Sequence, residues 1–301
     1  MKLLDKIILM VVFITGLLSC STGSIRTADP DFVPKNIKNS FEGKNKPVVF
    51  LDEGHNNSLT KNGRYKPFSQ ILSSDGYTVV ASKEKFTLAY LKQADILVIA
   101  NALDKTRSDW LPPFGDAFDS EEIQAVKQWV SQGGSLLLIA DHFPFPKIID
   151  KLAVAFGFTF NHGHVGKGMF RMDNKTLRDH EITKGSFNTE RIVQVKTFGG
   201  SAFQIPDEAK SLLVLGKAAT ASMPDIPFQI NAETPKVTMA GWSQGAVVEV
   251  GGGRVAVFSE ALMFSSQLHV PTGKKFGILS AGAEQNEQFL LNVMHWLSHI
   301  I

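Results

Sequence analysis

The stretch GGSLLLIADHFPFP, residues 133–146, decides how this chain is read. Its two glycines accept backbone angles that end a helix, the run LLLIA that follows is apolar without interruption, and an abrupt polar turn then carries Asp141 and His142. A strand apolar on both faces belongs in a parallel sheet covered by helices on either side. Such sheets form their ligand sites beyond the carboxyl ends of the strands, where Asp141 and His142 stand.

Working outward, residues 119–132 read as the helix that feeds this strand. Asp119 and Glu122 have the spacing of a capping box, and Ile123, Val126, Trp129 and Val130 supply one apolar face. Upstream, PVVFLD (47–52), a helix over 64–74, a strand over 77–81, a helix over 88–92 and DILVIA (95–100) make a βαβαβ rhythm. Downstream come a helix over 147–156 and a strand over 158–160, followed by short β-rich pieces separated by Gly and Pro over about 163–245. Order returns with GRVAVFSE (253–260), a strand that delivers Glu260, and with a closing helix over 285–299. In that helix His295 and His299 stand four apart on the polar side and read as a solvated pair. The expected fold is α/β, a doubly wound, mostly parallel, flavodoxin-like sheet with a β-rich insertion.

The chain opens MKLLDKIILMVVFITGLLSC: a basic start, an apolar core too short to span a bilayer, and a cysteine after small residues. Residues 1–19 are expected to be a lipoprotein signal peptide, Cys20 the lipidated residue, 20–46 a flexible tether and 47–301 the folded body. Cys20 is the chain's one cysteine, so once acylated it leaves no thiol for catalysis, disulfides or metal ligation. The net charge of +2 falls to +1 without the signal, too small a surplus for a nucleic-acid binder. The expected place is the bacterial cell envelope, on the extracytoplasmic side, with the outer membrane favoured in a Gram-negative cell.

In a doubly wound sheet, turns after neighbouring parallel strands converge. Glu53, His55, Asp141, His142 and Glu260 are therefore expected to meet as catalytic candidates, with Asn57, Arg64, Tyr65 and Gln267 as ligand-binding candidates. Carboxylates and imidazoles together suit acid–base chemistry or a divalent metal, although no established cofactor motif is present. Each residue also has a plain reading, Asp141 as a turn carboxylate and His142 as a ring packed on Phe143 and Phe145. His162 and His164 stay outside the expected site. GWSQG (241–245) has G-x-S-x-G spacing but lies between two β-like runs and reads as a hairpin turn, as does GGG (251–253).

DEGHNN (52–57), GRYKPF (63–68), ADHFPFP (140–146), DHEITKG (179–185), GRVAVFSEALMFSSQ (253–267) and NEQFLLNVMHWL (286–297) together resemble a DUF4350-like group of bacterial lipoproteins in the class I glutamine amidotransferase-like superfamily. The resemblance implies the flavodoxin-like fold over nearly the whole body. Members of that superfamily carry a cysteine nucleophile in the turn where this chain has Asp141-His142, so thioester chemistry does not carry over. The leading expectation is a membrane-anchored domain binding a small polar or saccharide ligand at the strand ends. A hydrolase using Glu53, His55, Asp141 and His142 is the second, and a module docking an envelope protein is the third.

Overall fold

The computed structural model describes residues 25–43, 46–104 and 111–301, so the signal peptide and Cys20 lie outside the described residues. Five parallel strands form the centre: β1 Val48–Asp52, β2 Thr78–Ser82, β3 Ile96–Ala100, β4 Ser135–Ile139 and β5 Gly253–Phe258. Their order across the sheet is β2-β1-β3-β4-β5, the doubly wound flavodoxin-like arrangement. Beyond β5 the sheet turns antiparallel, through Ser243–Val250 and then Ala202–Gln204 and Thr159–Asn161, while Lys210–Val214 also pairs with Ser243–Val250. Smaller antiparallel sheets complete the β-rich region.

Strand alternation divides the core. Leu137 and Ile139 of β4 join Phe68, Ile71 and Leu72 of α1 (Lys66–Ser74) and Phe289, Val293 and Met294 of the C-terminal helix Asn286–Leu297. Leu136 and Leu138 face the other way, onto Val126, Trp129 and Val130 of α2 (Ser120–Ser131) and Leu152 of the short helix Asp150–Ala155. Burial of each such side chain is worth about 1.5–3 kcal/mol, and both faces of the sheet depend on it. The capping box of Asp119 and Glu122 is formed, and Gly133 ends the α2 segment at φ +113°. A Cβ on Gly134 would stand 2.2 Å from the Trp129 ring, so this position tolerates glycine alone without rearrangement.

Four expectations need correction. The helix expected over 147–156 is two short ones, Phe145–Ile148 and Asp150–Ala155, broken at Ile149. The closing helix ends at Leu297, and His295 is buried with its Nε2 2.7 Å from Asp75 Oδ2; only His299, past the helix end, is exposed. Asp75 follows α1, so its carboxylate compensates a ring that the periodicity had assigned to solvent. Residues 26–43 do not form a free tether: Arg26–Ala28 pairs antiparallel with Ser266–His269, Phe32 and Phe41 are buried, and the Lys35 and Asn36 amides donate to Glu287 at 2.7 and 2.9 Å. Two isolated aromatics anchor this strap, and two residues make no readable period. Ser243 begins a strand instead of sitting in a turn, its buried hydroxyl 2.6 Å from that of Ser211. The turn at Gly251-Gly252 joins Ser243–Val250 to β5 as read.

Candidate functional site

The loop after β1 holds two different structures. Near the strand, the fully buried Asp52 accepts from His55 Nδ1 at 2.8 Å and from Asn57 Nδ2 at 2.9 Å. His55 Nε2 lies 2.9 Å from Glu122 Oε1, and Phe86 and Phe118 flank the ring with centroids at 4.6 and 4.5 Å. With a carboxylate on each ring nitrogen, both nitrogens donate and the ring is an imidazolium. Burial is the largest influence and pulls the His55 pKa down, but Asp52 and Glu122 together outweigh it and the net shift is upward. Burial likewise favours neutral Glu122, yet His55 and the Asp119 and Phe86 amides hold its pKa below the ordinary range.

This clamp ties the β1 loop to the start of α2, and it removes His55 from the expected catalytic set, since neither nitrogen is available to a substrate or metal. Glu53 is not among the residues that line the cavity described below; its carboxylate accepts from the Lys61 amide at 2.7 Å and braces the same loop. Asn57 is spent on Asp52. Tyr65 is fully buried, stacked on Phe68, with its hydroxyl donating to the Ala261 carbonyl at 2.8 Å. Three of these four sit on the right edge of the sheet but are consumed in holding it; Tyr65 supports the cavity from beneath.

Farther along the same loop, Ser58, Leu59 and Arg64 reach a cavity of about 750 Å³ that lies over the carboxyl ends of β1, β3, β4 and β5. Asn101 after β3, Asp141 and His142 after β4, and Ala261, Leu262 and Gln267 after β5 line it, with Ile25, Arg26 and Phe228 at its walls. The structure thus brings together Arg64, Asp141, His142 and Gln267 of the expected residues. Asn101, at φ +50°, accepts the Asp141 amide on its side-chain oxygen at 2.9 Å and so fixes the turn after β4. Asp141 in turn accepts the His142 amide at 2.9 Å. His142 Nδ1 donates to the Phe143 carbonyl at 2.8 Å, which fixes the ring's orientation. Its ring stands 5.0 Å from both His164 and Phe228 and 5.9 Å from Phe145.

Charges within the cavity oppose and complement one another. Arg64 donates through Nε and Nη2 to the Ser58 carbonyl at 3.2 and 3.0 Å. Burial, chiefly, and then the like charge of Arg26 lower its pKa, while Asp141 acts the other way. Glu260 lies buried at the end of β5, capping the turn Leu262–Phe264 through the Leu262 and Met263 amides at 2.8 and 2.9 Å. Burial first, and the neighbouring charge of Asp141 second, push its pKa up to about 8. Backbone packing is close here: Gly200, at φ +96°, would place a Cβ 2.0 Å from the Ser259 carbonyl. Among the described residues, no group of three or more His, Cys, Asp or Glu side chains stands where it could hold a metal ion.

Reading the sequence missed Asn101, Ile25, Arg26 and Phe228, and set aside His164, whose ring stands beside that of His142. Asn101 follows an apolar strand just as Asp141 does, and the same strand-end rule applies to it. Arg26 and Phe228 carried no such signal, because they reach the cavity from the strap and from the β-rich region.

No protein-family model matches the chain, and no curated protein sequence matches it. Among solved structures, the mmIFT52 N-terminal domain superposes with a TM-score of 0.57 at 14% identity, covering 83% of this chain and 97% of that one. A ThuA-like protein from Bacteroides uniformis has a TM-score of 0.45 at 12% identity over 89% of this chain and 95% of that chain. A GMP synthase-like protein from Thermoplasma acidophilum has 0.45 at 10% identity over 85% of this chain and 96% of that chain. At these identities the likeness to the mmIFT52 domain is one of fold: a mixed α/β body built on a mostly parallel sheet.

Proposed function

We propose that the protein is a lipoprotein, anchored to the envelope membrane through Cys20, whose amidotransferase-like body binds a small polar ligand at the carboxyl edge of its sheet. The observation that carries this reading is the cavity itself, in which Arg26 and Arg64 share a wall system with Asp141, His142 and Gln267. Two guanidinium groups and a carboxylate suit a ligand bearing both an anionic group and a hydrogen-bond-donating or cationic one. The turn after β4 carries Asp141-His142 where the amidotransferase-like superfamily carries a thiol, so the reading is one of binding.

Thermal unfolding in the presence of amino acids, amino sugars and phosphorylated small molecules tests it. A ligand at 100 times its Kd adds about 2.7 kcal/mol of stability. Arg64→Ala should reduce the affinity roughly 10–100-fold, the worth of a charge-assisted hydrogen bond, without changing the melting temperature of the free protein by more than a few degrees. Flat responses to every class would overturn the binding reading. Signal processing and acylation at Cys20 are tested separately, by intact mass and by the membrane fractionation of Cys20→Ala.

The placing of Asp141 and His142 together on the cavity wall, with the buried acid Glu260 feeling the charge of Asp141, favours one second reading, an acid–base hydrolase. Its catalytic groups would be Asp141 and His142, with Glu260 acting through Asp141. Turnover of ester, amide or glycoside substrates that is abolished by Asp141→Asn is the result expected of it.

A further inference from the structure

The hydrogen-bonding groups around the cavity divide into those the fold has used and those it has left. Backbone amides at the strand ends are used: Asn101 Oδ1 holds that of Asp141, Asp141 Oδ1 that of His142, and Glu260 those of Leu262 and Met263. Free amides of this kind ordinarily cradle a phosphate, and these are spent.

The side chains are left. Gln267 lines the cavity at 3% exposure, and among the described residues neither atom of its amide has a hydrogen-bond partner. Asn101, 4% exposed, keeps Nδ2 unpaired, Arg64 keeps Nη1 and Asp141 keeps Oδ2. Arg64 feels the charge of Asp141 without forming an ion pair with it. Buried polar groups are normally paired, and a set that mixes donors with acceptors is matched by hydroxyls, each of which does both.

The charged residues of the lining are Arg26, Arg64 and Asp141, a surplus of one cation. One carboxylate on the ligand answers that surplus, whereas a phosphate near its dianionic state exceeds it. Phe228 adds a ring that is 62% exposed and stands 5.0 Å from that of His142, on a backbone held at φ +66°. A bulky residue is strained there, and such strain clusters at ligand clamps. The carbon-bearing face of a pyranose is apolar and packs flat on an aromatic ring. A cavity of about 750 Å³ also has room for more than one sugar unit.

Resting on the reading of this cavity as a ligand site, we propose that it takes a saccharide bearing a hexuronate. The carboxylate lies toward Arg64 and Arg26, hydroxyls toward Asp141, Gln267 and Asn101, and a pyranose face against Phe228. An α-amino acid answers Arg64 and Asp141 with its carboxylate and ammonium but lacks the run of hydroxyls that the two amides match.

The test is calorimetric titration of the full chain, purified in detergent, with galacturonate, glucuronate and digalacturonate. The competitors are galactose, glucose, a glucose phosphate, phenylalanine and glutamine. At least one uronate should bind about tenfold or more tightly than its neutral parent sugar, the sugar phosphate and either amino acid. Arg64→Ala should erase the preference over the neutral sugar. Phe228→Gly, a change that suits φ +66°, should weaken uronate binding about fivefold or more while the melting temperature of the free protein stays within a few degrees. Equal or tighter binding of a neutral sugar, the phosphate or an amino acid overturns the uronate proposal and leaves the ligand reading standing. Uronate binding that is unchanged by Arg64→Ala or by Phe228→Gly places the sugar elsewhere and overturns the proposal for this cavity. Silence from every compound overturns the ligand reading itself.

Discussion

His55→Gln removes a cation held between two buried carboxylates and leaves both Asp52 and Glu122 uncompensated. Breaking a buried ionic cluster in this way costs about 3–5 kcal/mol, so urea unfolding should show a loss of that order; a loss under about 1 kcal/mol would mean the clamp holds little. The pH dependence follows from the two shifts. His55 has its pKa raised above 6.5, so its contribution is complete below about that pH and is lost as pH rises through the higher folded value. Glu122 has its pKa lowered from 4.5, so its contribution is present above that pH and is lost as pH falls through the depressed value. The clamp is therefore strongest between those limits, and the penalty of His55→Gln should shrink toward alkaline pH. On the sequence His55 was a catalytic candidate; carboxylates on both its ring nitrogens make it a brace.

At the scale of elements, the strap from Arg26 to Phe41 and the C-terminal helix are one construction. Asp75 accepts from His295 Nε2 at 2.7 Å, from the Ser40 hydroxyl at 2.9 Å and from Asn36 Nδ2 at 3.2 Å, while Phe41 stacks edge-on against Tyr77 at 4.8 Å. Asp75→Asn replaces one acceptor oxygen with a donor facing these groups. Loss of partners for buried polar atoms costs about 1–3 kcal/mol, and most of it should appear as looser docking of the strap. Hydrogen exchange at residues 36–41 is expected to accelerate while exchange in β4 stays unchanged. Uniform acceleration across the sheet would show instead that the strap and the core open as one unit. Helix and strand identity were readable here because each rests on a local period, whereas the docking of the strap rests on Phe32 and Phe41 finding partners far along the chain.

For the molecule as a whole, the buried acids beneath the cavity set how stability responds to pH. Glu260 is raised from 4.5 to about 8, so the folded protein binds a proton that the unfolded chain has released; this contribution is full below about pH 4.5 and is lost as pH rises through about 8. Urea midpoints measured from pH 5 to 9 should fall with pH, His55 and Glu260 both contributing. Asp141→Asn, by removing the like charge, should flatten that slope, and an unaltered slope would mean that burial alone raises Glu260. The sequence by itself determined the succession of strands and helices, the glycine-stopped entry into β4 and the polar strand ends bearing Asp141, His142 and Glu260, because apolar periodicity and turn chemistry act over a few residues. Only the tertiary structure decided which of those ends share a cavity: Arg64 with Asp141, His55 withdrawn into a clamp with Glu122, and Arg26 and Phe228 brought in from distant segments. Those choices depend on contacts between residues far apart in the chain, where burial and opposing charge, felt only after packing, select the partners.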